Sequence, residues 1–176
     1  MIETPRLILR EMDMADLDAV AAMLSDSEVM RFWPRPYTRS EAAEWVERQR
    51  ARYRRDGCGY WLAVLKDSGR PVGQAGVIMM EVDGTREPAL GYIIDRPFWR
   101  RGYATEAAAA GRDWAFETLG CSRVITLVRP ENIPSIGVAL KLGMVEEKRV
   151  THAGYEHALL SVSRERPRSS RRTTPA

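Results

Sequence analysis

Cysteine and histidine are scarce in this chain of 176 residues, which contains two of each. Cys58 and Cys121 lack the C-x-x-C spacing of zinc and redox sites, and no cluster of cysteines and histidines accompanies them. Free cysteines pack readily as small apolar side chains. We therefore expect two reduced, structural cysteines and no metal cofactor.

Long apolar segments are also absent. No run approaches the roughly 20 residues needed to cross a bilayer, and the amino terminus lacks a signal-peptide pattern. A chain of this length can bury a core without disulfides or metal. The sequence therefore predicts a single globular domain of a cytoplasmic protein, with no membrane partner.

Lysine is the third scarce residue, since only three of the 27 basic residues are lysines. The net charge of +3 is unevenly distributed, because residues 164–176 contribute +4 and the remainder −1. We predict a folded domain over 1–164 and a disordered basic tail over 165–176. The tail could contact RNA or an acidic partner, but a solvated terminus is the preferred interpretation, so no nucleic-acid partner is expected.

Residue periodicity predicts a mixed α/β fold. Thr38 and Glu41 form a capping box at the start of one helix, and Gly120 marks the end of another. Period-two alternation predicts strands, and apolar spacing of three and four predicts helices. The predicted order is βααβββαβαββ, with strands over 6–11, 60–65, 71–80, 87–95, 123–129, 144–151 and 157–163 and helices over 17–24, 40–55, 101–119 and 135–142.

Two common nucleotide-binding motifs are missing, namely the Walker loop and the G-x-G-x-x-G turn after a first strand. Residues 98–106, F-W-R-R-G-Y-A-T-E, instead join a predicted strand to a predicted helix. A helix amino terminus offers unpaired N–H groups and the positive end of the helix dipole. Gly102 and Ala104 would let a phosphate approach the backbone closely. This segment predicts a pyrophosphate site; an ordinary helix start is the alternative.

Four motifs in order resemble the GNAT superfamily of N-acetyltransferases: T-P-R-L-I-L-R, W-R-R-G-Y-A-T-E-A, P-E-N-I-P-S and K-L-G-M. The superfamily pattern is [Q/R]-x-x-G-x-[G/A], and Trp99 in its first position resembles the RimJ/RimL branch. That branch acetylates protein amino termini and includes many small-molecule enzymes. The resemblance covers residues 4–164, identifies that segment as an N-acetyltransferase domain, and implies a monomer or homodimer.

The resemblance implies direct attack of a primary amine on acetyl-CoA in a ternary complex. It assigns the cofactor to the backbone of the strand over 87–95 and to the following helix start. The implied cofactor-binding residues are Ile93, Ile94, Asp95, Arg100, Arg101, Gly102, Tyr103, Ala104, Thr105, Asn132 and Ser135.

Proton transfer departs from the family pattern. Many members carry a tyrosine where this chain has Ala139, so Ser135 becomes the candidate that protonates the thiolate or holds the sulfur. Helix capping by Asn132 or Ser135 is an equal alternative. Many members of the branch carry a glutamate where this chain has Ala89. Glu87 lies on the same strand face and is therefore the candidate general base. The alternative is that Glu87 is a solvated loop residue.

The acceptor site is expected in the loop after the first helix. Trp33 and Tyr37 are the candidate substrate-binding residues there, and capping of the core is their alternative role. Ala89 and Ala139 also leave open a noncatalytic CoA-binding module. The sequence therefore predicts the cofactor more firmly than the acceptor.

Overall fold

The computed structural model describes residues 1–164, so the predicted basic tail lies outside the described part. Its elements, in chain order, are β1 (Ile2–Glu3), β2 (Leu7–Arg10), α1 (Leu17–Ser25), α2 (Arg39–Asp56), β3 (Tyr60–Leu65), β4 (Pro71–Val82), β5 (Thr85–Ile94), α3 (Tyr103–Glu117), β6 (Arg123–Val128), α4 (Ile133–Lys141), β7 (Val145–His152) and β8 (Tyr155–Ser163). The predicted order is confirmed, with β1 as an addition. Its two residues are too few to produce a periodic signal.

The eight strands form one sheet in the order β1-β2-β3-β4-β5-β6-β8-β7. Neighbouring strands are antiparallel except β5 and β6, which are parallel. The predicted mixed α/β fold is therefore correct. Three buried apolar clusters pack against this one continuous sheet. Its strands and helices therefore form a single domain.

The parallel pair separates soon after it forms. Its ladder contains one register pair, Ala89 with Ile125, and the Thr126 hydroxyl donates to the Leu90 carbonyl oxygen at 2.9 Å. β5 continues to Ile94 while paired with β4 on its other edge. A gap therefore opens between β5 and β6 beyond Leu90, and we call it the opening.

Helices cover both faces of the sheet. On one face the Trp45 indole of α2 donates to the Gln74 Oε1 atom at 2.8 Å. Gln74 pairs with Ile93, and Leu90, three residues earlier, therefore points to the other face. There Leu90 lies 3.1 Å from the position that a Cβ atom would take at Gly111 of α3. The α2 and α3 helices thus pack on opposite faces.

Local signals explain the ends of the helices. Thr38 and Glu41 form the predicted capping box, and Gly57 ends α2 in the left-handed conformation at φ +69°. α3 begins at Tyr103 rather than at residue 101, because Gly102 has φ +81° and the helix starts after it. Its buried face carries small residues, which allow α3 to lie close to the sheet: Ala107, Ala108, Gly111 and Ala115. Within residues 1–164, no helix has both the length and the apolar character that crossing a membrane demands.

Candidate functional site

The segment before α3 forms a turn that is suited to binding an anion, and we call residues 100–105 the anion-binding turn. Arg100 has φ +60° and Gly102 has φ +81°, so two left-handed residues flank Arg101 and direct the chain into the helix. The first intrahelical bond of the turn is donated by the Glu106 N–H to the Gly102 carbonyl at 3.0 Å. The N–H groups of residues 103–105 therefore have no intrahelical acceptor, and Gly102 supplies no side-chain cap. These groups and the helix dipole together attract a phosphate.

Two aromatic residues fix this turn. Phe98 is buried and packs edge-to-face on Tyr103, with ring centroids 6.2 Å apart. The Trp99 indole N–H donates to the Ile94 carbonyl at 2.7 Å, which ties the turn to the end of β5. Trp99 therefore has a structural role at the position where the superfamily pattern carries Gln or Arg. The side chains of Arg100 and Arg101 lie exposed at the rim.

The opening exposes alternate backbone groups of β5. The Asp95 N–H donates to the Val72 carbonyl of the β4 segment at 2.9 Å, and the Asp95 carbonyl accepts from the Phe98 N–H. Because ladder bonds alternate in direction, Ile93 also points to β4, while Tyr92 and Ile94 point to the opening. Of the three predicted residues Ile93, Ile94 and Asp95, Ile94 therefore directs its backbone groups to the opening, where its carbonyl already accepts from the Trp99 indole, and Tyr92, which was not predicted, also faces the opening.

A hydroxyl pair lies beside the opening. The Tyr92 hydroxyl donates to the Ser135 carbonyl at 2.8 Å and lies 2.9 Å from the Ser135 Oγ atom. The Asn132 side chain accepts from the Ser135 N–H at 3.2 Å, so Asn132 caps α4 as the alternative interpretation expected. Burial raises the pKa of Tyr92 to about 12, which keeps the phenol protonated near neutral pH.

Sequence reasoning missed Tyr92 because it looked for a tyrosine on α4. The position in question, Ala139, is fully buried in the core. A phenol reaches the first turn of α4 from β5 instead. The signal that could have found Tyr92 is its place in the strand predicted over 87–95, immediately after Gly91.

Glu87 does not lie at the opening. It sits near the start of β5, five residues before Tyr92 and thus about 16 Å along the strand. Its carboxylate accepts from the Arg123 Nε atom at 2.9 Å, and the same guanidinium binds Glu147 at 2.6 Å. The predicted general-base role is therefore corrected: Glu87 joins β5 to β6 through an ion pair at the closed end of the pair.

Aromatic residues form a row on the α2 face of the opening. Tyr37 packs edge-to-face on Trp45 at 6.1 Å, and Trp45 stacks on Tyr60 at 5.7 Å. The Tyr60 hydroxyl occupies the space that a Cβ atom at Gly91 would need. We call Tyr37, Trp45 and Tyr60 the aromatic row. Trp33 lies in the same α1–α2 connection, half-buried against the core.

Charged clusters typical of metal sites are not found in the part of the chain from residue 1 to residue 164. No group of three or more His, Cys, Asp or Glu side chains in that range could hold a metal ion. Cys58 is buried, and burial raises the pKa of its thiol to about 11, which makes it a poor ligand or nucleophile. The polar groups beside the opening are backbone groups of β5 and the hydroxyls of Tyr92 and Ser135.

Comparisons with known proteins agree with this geometry. The family model described as an acetyltransferase (GNAT) domain matches residues 6–145. The chain is 31% identical over 147 residues to the uncharacterized N-acetyltransferase YnaD of Bacillus subtilis, covering 83% of each chain. It is 30% identical over 148 residues to the uncharacterized protein YkkB of the same organism, covering 84% of this chain and 86% of that protein.

Solved structures share the whole architecture. An acetyltransferase from Agrobacterium tumefaciens superposes with a TM-score of 0.81 at 27% identity, covering 93% of this chain and 94% of that one. A putative ribosomal-protein-serine acetyltransferase from Vibrio cholerae gives 0.78 at 25% identity, covering 93% and 97%. The aminoglycoside acetyltransferase AAC(6')-Ib, solved with coenzyme A, shares the fold with a TM-score of 0.75 at 18% identity, covering 90% and 95%. The chain therefore belongs to the GNAT acetyltransferase family and is an acetyl-CoA-dependent N-acetyltransferase.

Proposed function

We propose that the protein transfers the acetyl group of acetyl-CoA to a primary amine by direct attack in a ternary complex. The observation that carries this proposal is the arrangement around the opening. An anion-binding helix end lies at one end of it, the Tyr92 and Ser135 hydroxyls lie on one face, and the aromatic row lies on the other. Two reactants can thus meet at β5 from opposite faces.

The cofactor would be held mainly through backbone groups. The pyrophosphate would accept hydrogen bonds from the N–H groups of residues 101–105, and Arg100 and Arg101 would add positive charge at the rim. The pantetheine arm would pair with Tyr92 and Ile94 as an extra strand in the opening. Coenzyme A bound to the aminoglycoside acetyltransferase of the same fold supports this assignment.

The hydroxyl pair would stabilise the leaving thiolate as hydrogen-bond donors. A simple thiol has a pKa of about 8.5, whereas burial raises the pKa of Tyr92 to about 12. Because burial favours the neutral phenol, Tyr92 would act as a hydrogen-bond donor rather than as an acid. Ser135 and Tyr92 would bind the sulfur, Tyr92 after its hydroxyl turns from the Ser135 carbonyl to the thiolate, and the thiolate would take its proton from solvent or from the amine product.

The attacking amine must be uncharged. With Glu87 paired to Arg123, a bound water or prior loss of the proton to solvent would supply the free amine. At limiting acceptor concentration and below the acceptor pKa, the rate should then rise about tenfold for each unit of increase in pH, because the fraction of free amine rises in the same way. A plateau several units below that pKa would instead indicate a protein base.

The acceptor would be a protein amino terminus or a small-molecule amine, as in the RimJ/RimL branch. Trp33 and the aromatic row, which includes Tyr37, would line its site, because the row begins with Tyr60 against Gly91 on the face of β5 opposite the hydroxyl pair. We further propose that the protein acts in the cytoplasm as a monomer or homodimer. These assignments rest on the resemblance and on the position of the aromatic row.

Thiol release from acetyl-CoA tests the proposed function. The wild-type protein is mixed with acetyl-CoA and a panel of amines that includes peptides with free amino termini, the same peptides with acetylated termini, amino acids, polyamines and aminoglycosides. Acceptor-dependent release with any free amine, matched by a mass gain of one acetyl group, supports the proposal. Tight CoA binding with no turnover on any amine would support the noncatalytic module instead.

A further inference from the structure

Two of the sequence motifs are joined through Arg6 and Glu106. The Arg6 Nε atom donates to Glu106 Oε2 at 2.6 Å, and the Arg6 backbone N–H donates to Glu106 Oε1 at 2.8 Å. The Thr4 hydroxyl donates to the same Oε1 atom at 2.6 Å. The segment before β2 therefore binds a carboxylate in the first turn of α3. We call Thr4, Arg6 and Glu106 the amino-terminal clamp.

Arg6 also contacts the anion-binding turn directly. Its Nη1 atom donates to the Arg101 carbonyl at 2.9 Å, and its guanidinium carbon lies 4.4 Å from the centre of the Tyr103 ring. The Arg6 Nη2 atom lies 3.3 Å from the position of a Cβ atom at Gly102. One side chain thus contacts Arg101 and Tyr103 and lies beside Gly102 between them, and its bond to the Arg101 carbonyl ties the turn to the segment before β2.

The clamp also changes the charge at the helix end. Glu106 places a negative charge in the same first turn of α3 that would bind a pyrophosphate, so the two anions would repel each other. Burial alone would raise the pKa of Glu106, but the hydrogen bonds from Thr4 and Arg6 outweigh it and leave the pKa lowered. The carboxylate is therefore charged at neutral pH and needs the positive charge of Arg6 beside it.

We propose that Arg6 is a positioning residue for the cofactor. Arg6 holds the turn over 101–103 in its anion-binding conformation and neutralises the charge of Glu106. The inference rests on the proposed CoA-binding function. Two of the Arg6 guanidinium nitrogens are committed to protein acceptors, Nε to Glu106 and Nη1 to the Arg101 carbonyl, and these two bonds are the means by which Arg6 would act on the turn. The effect of Arg6 is selective for binding of the pyrophosphate end of CoA, and binding of the pantetheine end is unchanged.

The test compares Arg6→Met with Arg10→Met. Both residues lie in the same segment and both bind a carboxylate, since Arg10 binds Asp16 at 2.6 and 2.8 Å, away from the turn. Titration calorimetry with CoA should show affinity lowered about tenfold or more in Arg6→Met. Arg10→Met should bind CoA within twofold of wild type, and pantetheine, which lacks the pyrophosphate, should bind both variants alike.

A second pair of variants separates positioning from folding. Adding Glu106→Gln to Arg6→Met removes the unbalanced charge and should restore part of the lost CoA affinity. If Arg6→Met does not fold, Arg6→Lys keeps the charge but loses the fork that joins Glu106 and the Arg101 carbonyl, and should bind CoA about threefold more weakly than Arg10→Lys. Equal effects of the Arg6 and Arg10 variants, or equal loss of CoA and pantetheine binding, would overturn the inference. Wild-type protein that bound no CoA would overturn the proposed function itself.

Discussion

The proposed cofactor side and the proposed acceptor side of β5 are constructed in different ways. On the cofactor side, the anion-binding turn and the free edge of β5 present backbone groups, and a few neighbouring residues determine their geometry. On the acceptor side, the aromatic row brings together side chains from the α1–α2 connection, α2 and β3. Backbone recognition needs only suitable φ angles and small residues. Side-chain recognition depends on how distant segments pack.

The largest expected effect tests whether backbone conformation carries cofactor binding. Gly102→Val places a β-branched residue at φ +81° in the turn. Gly120→Val does the same at φ +67° after α3, where no atom lies within 4 Å of the new Cβ position. Each substitution should cost about 1–3 kcal/mol of stability. Only Gly102→Val should also weaken CoA binding, by about thirtyfold or more in calorimetry.

That comparison has a clear contrary outcome. If Gly120→Val weakens CoA binding as much as Gly102→Val, the effect is general destabilisation, and the turn has no special role. If Gly102→Val binds CoA normally, the pyrophosphate lies elsewhere. Unfolding midpoints of both variants, measured without ligand, control for the shared strain.

The next effect concerns the hydroxyl pair, the side-chain part of the cofactor side. Ser135→Ala and Tyr92→Phe should each lower kcat for thiol release about tenfold, with KM for acetyl-CoA nearly unchanged, because the donors act on developing thiolate charge. The double variant should resemble the singles, since the two hydroxyls act as one unit.

Ser25→Ala is the control for Ser135→Ala. The Ser25 hydroxyl donates to the Ala22 carbonyl at 3.1 Å at the exposed end of α1, so its loss should leave kcat unchanged. Independent, multiplying losses in the Ser135→Ala and Tyr92→Phe double variant would show that the hydroxyls act separately. Unchanged kcat in both singles would remove them from the mechanism.

A smaller effect tests the acceptor side. Gly91→Ala would place a methyl group where the Tyr60 hydroxyl stands and displace the end of the aromatic row. With the most active amine from the panel, the acceptor KM should rise about fivefold while CoA affinity stays within twofold. Adding Tyr60→Phe removes the clashing oxygen and should recover part of the loss.

The result for Gly91→Ala also distinguishes the two sides. An increase in the CoA dissociation constant as large as the increase in acceptor KM would mean that the two faces of β5 are not separate sites. Recovery on adding Tyr60→Phe should be partial, because the ring carbon Cζ remains 2.6 Å from the new Cβ position.

The smallest effect concerns α2, the helix that carries Trp45. Hydrogen bonds from Arg35 and from the backbone and hydroxyl of Thr38 lower the pKa of Glu41 from 4.5 to about 2. A lowered folded-state pKa means that the stabilisation is complete above pH 4.5 and is lost as the pH falls towards 2. The Tm difference between wild type and Glu41→Gln should therefore shrink over that range. A difference that stays constant from pH 6 to 2 would contradict the role of the carboxylate.

Sequence alone predicted the fold class and the order of strands and helices along the chain. The capping box at Thr38, the helix that begins near Gly102 and this order follow from periodicity and from residues with special backbone preferences. These are local signals, so neighbours in sequence suffice to recognise them. Ile93 and Asp95 were assigned from the family resemblance, which identifies the strand but not the edge that each of its backbone groups faces; in the structure their N–H groups face β4.

The remaining features depend on contacts between distant residues. Tyr92 and Ser135 are 43 positions apart, and Glu87 and Arg123 are 36 apart. Whether a tyrosine on β5 can replace one on α4 depends on the distance between these elements, which no local pattern contains. The same reason hid the ion pair that occupies Glu87 and the Tyr60 hydroxyl that lies against Gly91.

The single register pair between β5 and β6 also affects how the fold fluctuates. Ala89 and Ile125 form the one register pair of that ladder, and the Thr126 hydroxyl adds a bond to the Leu90 carbonyl, so backbone pairing between the two strands does not extend along the opening. A pantetheine arm lying in the opening would act as a missing strand and couple the two parts of the sheet. Deuterium uptake at the Tyr92 and Ile94 amides should then slow when CoA binds, so amide exchange would report occupancy of the opening without any need to know the acceptor.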